Sequence, residues 1–388
     1  MLVMLDLTAA FDTVDHSILL NDLSILGVRG VALQWFNSYL NNRNFRVEIG
    51  NDVSERGEMS TGIPQGTILA PIFFSIYTIE LYYVLQQFNV DCHFYADDTQ
   101  LMITVSDEEQ AQRDFSLIFG AISDWMESRR LKLNASKTEC ILFGSSTRLG
   151  DLSQFRALNV GDSSVIFSET VRDLGVIMDR YLNLNTQMRN VKKKAIGNLI
   201  NISRMTKYID VGSRLKLVHG LVLSNLDFCN SLYAGLPNSQ LRQLQSIINS
   251  ASRLIVGLPR FSRERITPVC IDLHFLPIKA RIKFKICLLV FKAIKFGKPS
   301  YIAELLKFHV PGRLLRGEDE RRLVQPIIAQ SLYSNLCFSY CAPRMYNSLP
   351  RSLREAETVD GFKKLLKTFI FKEAYNLTDY TIMPNFKV

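Results

Sequence analysis

The sequence predicts an α+β first part, up to about residue 180, followed by a helical second part. Strand and helix patterns alternate in the first part, whereas beyond Tyr181 the apolar residues recur with the 3.6-residue period of helices. Residues 1–150 hold 10 basic and 19 acidic side chains, a net charge of −9, so the total of +9 leaves +18 for the remainder. A basic second part suits a polyanionic partner, although the solvated faces of long helices give the same excess of cations.

Local patterns predict the elements of the first part. The apolar run at residues 1–7 is typical of a strand buried on both faces, and Asp15 is a candidate N-cap for a helix at 17–26. Strand patterns at 91–96 and 99–105 predict a hairpin with Asp97 and Asp98 at its turn. The other predicted elements are helices at 31–40, 68–85 and 108–129 and extended segments at 45–49, 131–143, 164–167 and 171–178.

The second part is predicted to be helical, near residues 186–207, 212–232, 240–254, 279–295 and 359–375. The intervening segment 299–355 is punctuated by proline and glycine and gives no clear pattern.

Composition excludes several classes of protein. Apolar residues make up 47% and charged residues 21%, which favours a packed core over general disorder. Seven scattered cysteines without a C-x-x-C motif indicate reduced thiols. The most apolar stretch, 68–85, contains Pro71 and Glu80 and is typical of a buried helix rather than a membrane span. With no evident signal peptide, we expect a soluble intracellular protein, nuclear or cytoplasmic, without a membrane partner.

Three carboxylates stand where strands are predicted to end. Asp6 follows the buried strand, and Asp97 and Asp98 occupy the hairpin turn. Acidic groups beside one another repel, and divalent cations between them would remove that cost. Mg²⁺ prefers such oxygen ligands, and a pair of these ions supports in-line phosphoryl displacement. An Asp-Asp dipeptide alone is equally typical of an ordinary turn.

Five ordered motifs resemble those of the reverse transcriptases of non-LTR, LINE-type retrotransposons. They are LDLTAAFDTVDH at 5–16 (motif A), GIPQGTILAP at 62–71 (motif B), FYADD at 94–98 (motif C), LKLNASKT at 131–138 (motif D) and LGV at 174–176 (motif E). RMYNSLP at 344–350 is similar to a C-terminal pattern of such elements. Motif B departs from the family at Thr67 and Ala70, where serine and glycine are usual.

The resemblance implies a right-hand polymerase fold. Residues 1–180 would be the palm, an antiparallel sheet backed by helices, with only part of the fingers because Met1 falls inside motif A. Residues 181–258 would be a helical, basic thumb and residues 259–388 a helical C-terminal extension. The implied activity is RNA-directed DNA synthesis with two Mg²⁺ ions, or Mn²⁺ in their place. The implied partners are an RNA template, a DNA primer and dNTPs.

The resemblance also assigns roles in catalysis and nucleotide selection. Asp6 and Asp97 would bind the metals, with Asp98 as a weaker ligand and the Leu7 carbonyl on the nucleotide-bound ion. Lys137 would act as general acid near the leaving pyrophosphate, unless it is a solvated lysine at a strand end.

Three further residues would contact the incoming nucleotide. Phe11 would be a steric gate against the ribose 2′-OH, or else a core aromatic residue. Gln65 and Gly66 would meet the nucleotide and template, since glycine admits close backbone approach; a helix-entry turn is the alternative for Gly66.

Other residues would hold the nucleic acid. Leu174 and Gly175 would belong to the primer grip. A cluster of thumb cations would contact phosphates, with a solvated helix face as the alternative. That cluster consists of Arg189, Lys192, Lys193 and Lys194. His16 is predicted to be a polar residue at a helix N-terminus rather than a catalytic base.

Two rival functions remain at this stage. The missing fingers favour a catalytically inactive, truncated remnant that only binds nucleic acid, whereas the intact Asp6, Asp97 and Asp98 favour an enzyme. An RNA-templated RNA polymerase is a third reading, and the bulky Phe11 argues against it.

Overall fold

The computed structural model describes residues 1–88, 90–161, 163–259, 262–309, 322–327 and 337–377. The chain forms two compact units, Met1–Leu182 and Asn183–Val388, and each is described by itself below. The architecture is mixed α and β, with the strands named below in the first unit. Among the described residues, no helix has both the length and the apolarity needed to cross a bilayer.

The first unit consists of short strands and five helices within its described residues. Its strands are β1 Leu2–Leu5, β2 Arg43–Phe45, β3 Glu48–Ile49, β4 Asp52–Val53, β5 Gly57–Met59, β6 Asp91–Tyr95, β7 Asp98–Met102, β8 Glu139–Ile141, β9 Ala157–Val160, β10 Ser163–Ile166, β11 Thr170–Asp173 and β12 Val176–Asp179. Its helices are α1 His16–Ile25, α2 Gly30–Leu40, α3 Ala70–Gln86, α4 Glu108–Ser128 and α5 Ser146–Asp151.

A four-stranded antiparallel sheet organises this unit, with the strand order β6-β7-β1-β8. The apolar β1 lies inside the sheet and pairs on both sides, which confirms the predicted buried strand. Leu5 of β1 shares one hydrophobic core with Phe74 and Tyr77 of α3 and with Phe115 of α4. The helices therefore cover the sheet with the apolar faces that their sequences predict.

Several extended segments differ from the sequence prediction. The single strand predicted at 45–49 is divided, because β2 pairs with β5 and β3 pairs with β4 in two separate hairpins. The strand predicted at 171–178 is a hairpin of β11 and β12, and Leu174-Gly175 form its turn with φ of 41° and 89°. Alternating side chains do not reveal such a turn, whereas the resemblance to motif E implies it.

The second unit is helical over its described residues. Its elements are α6 Asn185–Met205, α7 Val211–Leu217, a π-helical turn Val218–Leu223, α8 Ser224–Asp227, a 3₁₀ turn Asn230–Tyr233, α9 Asn238–Val256, α10 Ile266–Asp272, α11 Ile278–Phe296, α12 Ser300–Ala303, α13 Phe338–Asn347, α14 Arg351–Arg354 and α15 Val359–Tyr375. The prediction of a continuous helix at 212–232 was wrong, because the π-helical turn interrupts it and Phe228 adopts an extended conformation.

One hydrophobic core runs through the second unit, from Leu184 in the turn before α6 to Phe371 of α15. Within it the rings of Phe291 and Phe362 stack with their centroids 4.0 Å apart, which joins α11 to α15. Helices on both sides of residue 258 share this core. The division into functional regions at residues 180 and 258 stays a prediction, and parts of the last region lie outside the described residues.

Candidate functional site

The hairpin of β6 and β7 places the acidic pair at the end of the sheet. Its two-residue turn is Ala96-Asp97, and Asp98 begins β7 opposite Tyr95. Ala96 adopts a φ of 53°, which is uncommon for a residue with a Cβ atom. Both aspartates are half-buried. The predicted hairpin is confirmed, but its turn lies one residue earlier than predicted, so that only Asp97 is in the turn and Asp98 belongs to β7.

Asp6 lies beside this pair. It directly follows β1, and the pairing of Leu5 with Thr99 makes Asp6 and Asp98 the next facing positions of the two strands. The Asp6 backbone carbonyl accepts a hydrogen bond from the Asn134 amide at 2.8 Å, which fixes its backbone. Its side-chain Oδ2 atom is buried and accepts no hydrogen bond from the described residues. A carboxylate oxygen in that condition lacks the donor that burial normally demands.

The aspartates act on one another electrostatically. Burial raises the pKa of Asp98, and the negative charges of Asp97, Asp6 and Asp173 raise it further. Nearby negative charges disfavour the ionised form of a carboxyl group, and its pKa therefore rises. The structure therefore places the three predicted aspartates close enough together for the charges of Asp6 and Asp97 to raise the pKa of Asp98.

Asp173 is a fourth carboxylate that the sequence analysis missed. It is the last residue of β11, and its Oδ1 accepts a hydrogen bond of 2.5 Å from the Gln100 amide on β7. Gln100 and Asp173 are 73 residues apart in sequence, so only the fold brings them together. The position of Asp173 immediately before the Leu174-Gly175 turn was the one local signal.

The donor set fits hard divalent cations as an open site. The described residues contain no ready-made group of three or more acidic, histidine or cysteine donors. Mg²⁺ commonly takes only one or two protein carboxylates and completes its shell with water and substrate phosphates. The unsatisfied Oδ2 atom of Asp6 and the crowded charge at Asp98 are the features that such an ion would relieve.

Lys137 and Leu7 lie at this same site. The Lys137 ammonium nitrogen is 3.9 Å from the Asp6 Oδ2 atom, and a turn at Asn134 holds the Lys137 backbone. Leu7 pairs with Leu133 in an isolated bridge. The two bonds of that bridge use the Asp6 carbonyl and the Thr8 amide, so neither engages the Leu7 carbonyl.

Phe11 and Gln65 lie on two loops that are bonded together. The half-exposed Phe11 ring stacks on Phe74 with centroids 4.6 Å apart, and the Phe11 carbonyl accepts a bond from the Ile63 amide. The exposed Gln65 donates its side-chain amide to Asp12 Oδ1 at 3.0 Å. Gly66 is exposed with a φ of 76° and nothing within 4 Å of the place a Cβ atom would take.

The predicted nucleic-acid contacts fall in both units. In the first unit, Leu174 is 41% exposed at its hairpin turn, where it adjoins Asp173. In the second unit, Arg189, Lys193 and Lys194 are exposed on α6. Lys192 differs, because it is half-buried and donates to Gln243 Oε1 at 3.3 Å.

Comparison with known proteins finds relatives among retrotransposon proteins, a solved structure and a matching family. A Drosophila melanogaster RNA-directed DNA polymerase from mobile element jockey is 22% identical over 269 residues, covering 67% of this chain and 29% of that protein. A probable RNA-directed DNA polymerase from transposon BS of the same species is 30% identical over 144 residues, covering 35% and 16%. A solved telomerase from Candida albicans, in complex with a fragment of telomeric RNA, aligns with 77% of this chain and 49% of that one at 12% identity and a TM-score of 0.38.

The chain thus spans 29% of the length of the jockey protein. Its residues 1–178 match the family described as reverse transcriptase (RNA-dependent DNA polymerase). The predicted resemblance to retrotransposon reverse transcriptases is confirmed, and residues 1–178, which are similar to that family, hold Asp6, Asp97 and Asp98.

Proposed function

We propose that this chain contributes the polymerase centre of an RNA-directed DNA polymerase, which transfers nucleotides from dNTPs to the 3′ end of a primer. The observation that carries the proposal is the placement of Asp6 and Asp98 directly beside the paired residues Leu5 and Thr99, with Asp97 in the adjoining turn. This placement lies within the segment that matches the reverse transcriptase family.

In this proposal Asp6 and Asp97 bind Mg²⁺, with Asp98 as the weaker ligand and Leu7 contributing its carbonyl. Bound Mg²⁺ would offset the negative charge of the reacting phosphates and orient the attacking oxygen, and Mn²⁺ would serve in its place. The support is the Asp6 Oδ2 atom without a hydrogen bond and the raised pKa of Asp98. Lys137, 3.9 Å from Asp6, would hold the proton that the leaving pyrophosphate requires.

The loops beside the aspartates would bind the incoming nucleotide. Phe11 would exclude a ribose 2′-OH, because its ring is fixed by stacking on Phe74 and still half-exposed. Gln65 and the unobstructed backbone of Gly66 would meet the nucleotide and template. The alternative of a core aromatic residue stays open, because Phe11 also packs against the hydrophobic core of the first unit.

The finer architecture is also part of the proposal. The four-stranded sheet with α3 and α4 would be a polymerase palm, and the helices from α6 to residue 258 a thumb. Leu174 and Gly175 would grip the primer, and the cations of α6 would contact the phosphates of an RNA template and DNA primer. Residues 259–388 would be a C-terminal extension.

Primer extension on an RNA template with Mg²⁺ and dNTPs tests the proposal. Wild type is expected to extend the primer, and Asp97→Asn is expected to lose extension. Asp91→Asn is a matched control, because Asp91 is an exposed aspartate at the far end of the same hairpin. Loss of activity in both variants would show that the effect does not depend on the acidic site.

A second candidate function is nucleic-acid binding without catalysis, and the exposed cations of α6 are the observation that favours it. The same chain would then bind RNA with a steep salt dependence. In that case wild type and Asp97→Asn extend equally little while both retain RNA binding. Such a result would replace the polymerase proposal with the binding one.

A further inference from the structure

Two loops near the aspartates are bonded together along their length. They are residues 9–16, which carry Phe11, and residues 61–65, which carry Gln65; we call them the loop pair. The Gly62 amide donates to the Val14 carbonyl at 2.8 Å, and the Ile63 amide donates to the Phe11 carbonyl at 2.8 Å. Side chains add bonds at the exposed end, where Thr61 and Gln65 both donate to Asp12.

His16 closes the buried end of the loop pair. Its ring is only 6% exposed, and its Nε2 atom lies 2.7 Å from the Gly62 carbonyl oxygen. A carbonyl only accepts, so the ring must carry its proton on Nε2 and donate there. The other ring nitrogen, Nδ1, is buried with no hydrogen-bond partner among the described residues. The bond to Gly62 is therefore the polar contact that orients this ring.

His16 is not needed as the cap of α1. Asp15 performs that function, since its Oδ1 accepts bonds from the backbone amides of Ser17 and Ile18. The Asp15 carboxylate is also paired with Arg130, at 2.5 Å. The expectation that His16 is simply a polar residue at a helix N-terminus thus leaves its burial and its bond to a distant loop unexplained.

Gly62 packs directly against the backbone of Asp12. Its φ is 90°, and a Cβ atom there would lie 2.8 Å from the Asp12 carbonyl oxygen. The backbones of the loop pair are thus in direct contact at Gly62, and the direction of its carbonyl sets the course of residues 63–65. His16 donates a hydrogen bond to that carbonyl, and Gln65 follows Gly62 by only three residues in the same loop.

We propose that His16 is a positioning residue for nucleotide selection: by holding the Gly62 carbonyl it fixes the distance between Phe11 and Gln65. The inference rests on the proposed polymerase function, in which these two side chains contact the incoming nucleotide. His16 itself touches no substrate. Its loss loosens the loop pair and weakens the steric exclusion of ribonucleotides.

Two substitutions at His16 separate its hydrogen bond from its bulk. His16→Gln keeps a side-chain N–H donor at similar reach, whereas His16→Leu fills similar space without one. Leu23→Val is the control, because Leu23 is 2% exposed in the same helix and its truncation destabilises α1 without removing a hydrogen bond of the loop pair. All measurements are made well below the unfolding midpoint of every variant.

The first readout does not require activity. Backbone amide exchange at Gly62 and Ile63 is expected to become about tenfold faster in His16→Leu, the effect of one lost hydrogen bond. His16→Gln and Leu23→Val are expected to retain wild-type exchange there. Unchanged exchange in His16→Leu, or equal acceleration in Leu23→Val, overturns the inference.

The second readout is the ratio of kcat/KM for a dNTP to that for the matching rNTP. His16→Leu is expected to lower this ratio about tenfold, mainly by raising kcat/KM for the rNTP, and His16→Gln to restore it. Faster exchange with an unchanged ratio refutes the role in selection. If wild type extends no primer at all, the proposed function fails, while the exchange comparison still decides whether His16 holds the loop pair.

Discussion

Replacing Gly62 by alanine is the sharpest test of how the loop pair is built. Gly62 has a φ of 90°, and the new methyl group would meet the Asp12 carbonyl oxygen at 2.8 Å and the Asp12 Cα atom at 3.0 Å. Both of these atoms belong to backbone, so no side-chain rotation relieves the contact. We expect Gly62→Ala to open the loop pair and to destabilise the first unit.

The structure gives the size of the effect. The left-handed conformation costs an alanine about 1 to 2 kcal/mol. Separating the loops also breaks the Gly62–Val14 and Ile63–Phe11 backbone bonds, worth about 1 kcal/mol each. The free energy of unfolding should therefore fall by about 3 to 4 kcal/mol.

Tryptophan fluorescence in a urea titration measures the free energy of unfolding of the first unit. The chain has two tryptophans, Trp35 on α2 and Trp125 on α4, and both lie in the first unit. Trp125 is 5% exposed, so its emission shifts when the core of that unit opens. The second unit contributes no tryptophan signal to the transition.

Gly27→Ala is the matched control. Gly27 has almost the same φ, 94°, but nothing lies within 4 Å of the place that a Cβ atom would take. It should lose only the conformational part, about 1 to 2 kcal/mol. If Gly62→Ala destabilises the unit no more than Gly27→Ala does, the contact with Asp12 does not constrain the loops and the reasoning is wrong.

Three further predictions concern charge. Asp98→Asn should raise the unfolding midpoint at pH 7 without divalent cations, because ionising a carboxyl whose pKa is raised in the folded state costs stability. The gain should vanish below about pH 4, where the Asp98 carboxyl of wild type is as neutral as the asparagine that replaces it. A gain in stability that persists below that pH contradicts the prediction. Arg129→Met should lower the free energy of unfolding by about 3 kcal/mol in the same fluorescence assay. The reason is that the Asp22 carboxylate, 11% exposed and 2.5 Å from Arg129, would lose its cationic partner. The exposed Arg113→Met serves as its control and should change stability by less than about 1 kcal/mol. Lys193→Gln should reduce the slope of log affinity for duplex nucleic acid against log salt by about 1, and an unchanged slope removes Lys193 from the interface.

Features encoded by neighbouring residues were predictable. The apolar run of β1, the N-cap at Asp15 and the last helix at 359–375 all appear where the sequence places them. Each depends on a signal within one element: continuous burial, a capping side chain or a helical period. The hairpin that carries the acidic pair was predictable for the same reason.

Features encoded by distant contacts were not predictable from local patterns. His16 bonds to Gly62, 46 residues away, and the sequence around His16 gives no sign of that partner. Asp173 enters the charge field of Asp98 only because the β11–β12 hairpin lies near β7. The π-helical turn at Val218–Leu223 keeps Val218, Val222 and Leu223 inside the core, so its hydrophobic pattern is typical of a regular helix.

The left-handed alanine at the tip of the acidic hairpin bears on the order in which the domain assembles. Ala96 at a φ of 53° destabilises the turn by about 1 kcal/mol relative to a glycine at that position. An isolated two-stranded hairpin is also only marginally stable in water. A peptide of residues 91–102 should therefore remain unstructured, and Ala96→Gly should make it more ordered. We therefore expect the spacing of Asp97 and Asp98 to depend on the pairing of β1 with β7, so that the acidic site requires the assembled sheet and not the hairpin alone.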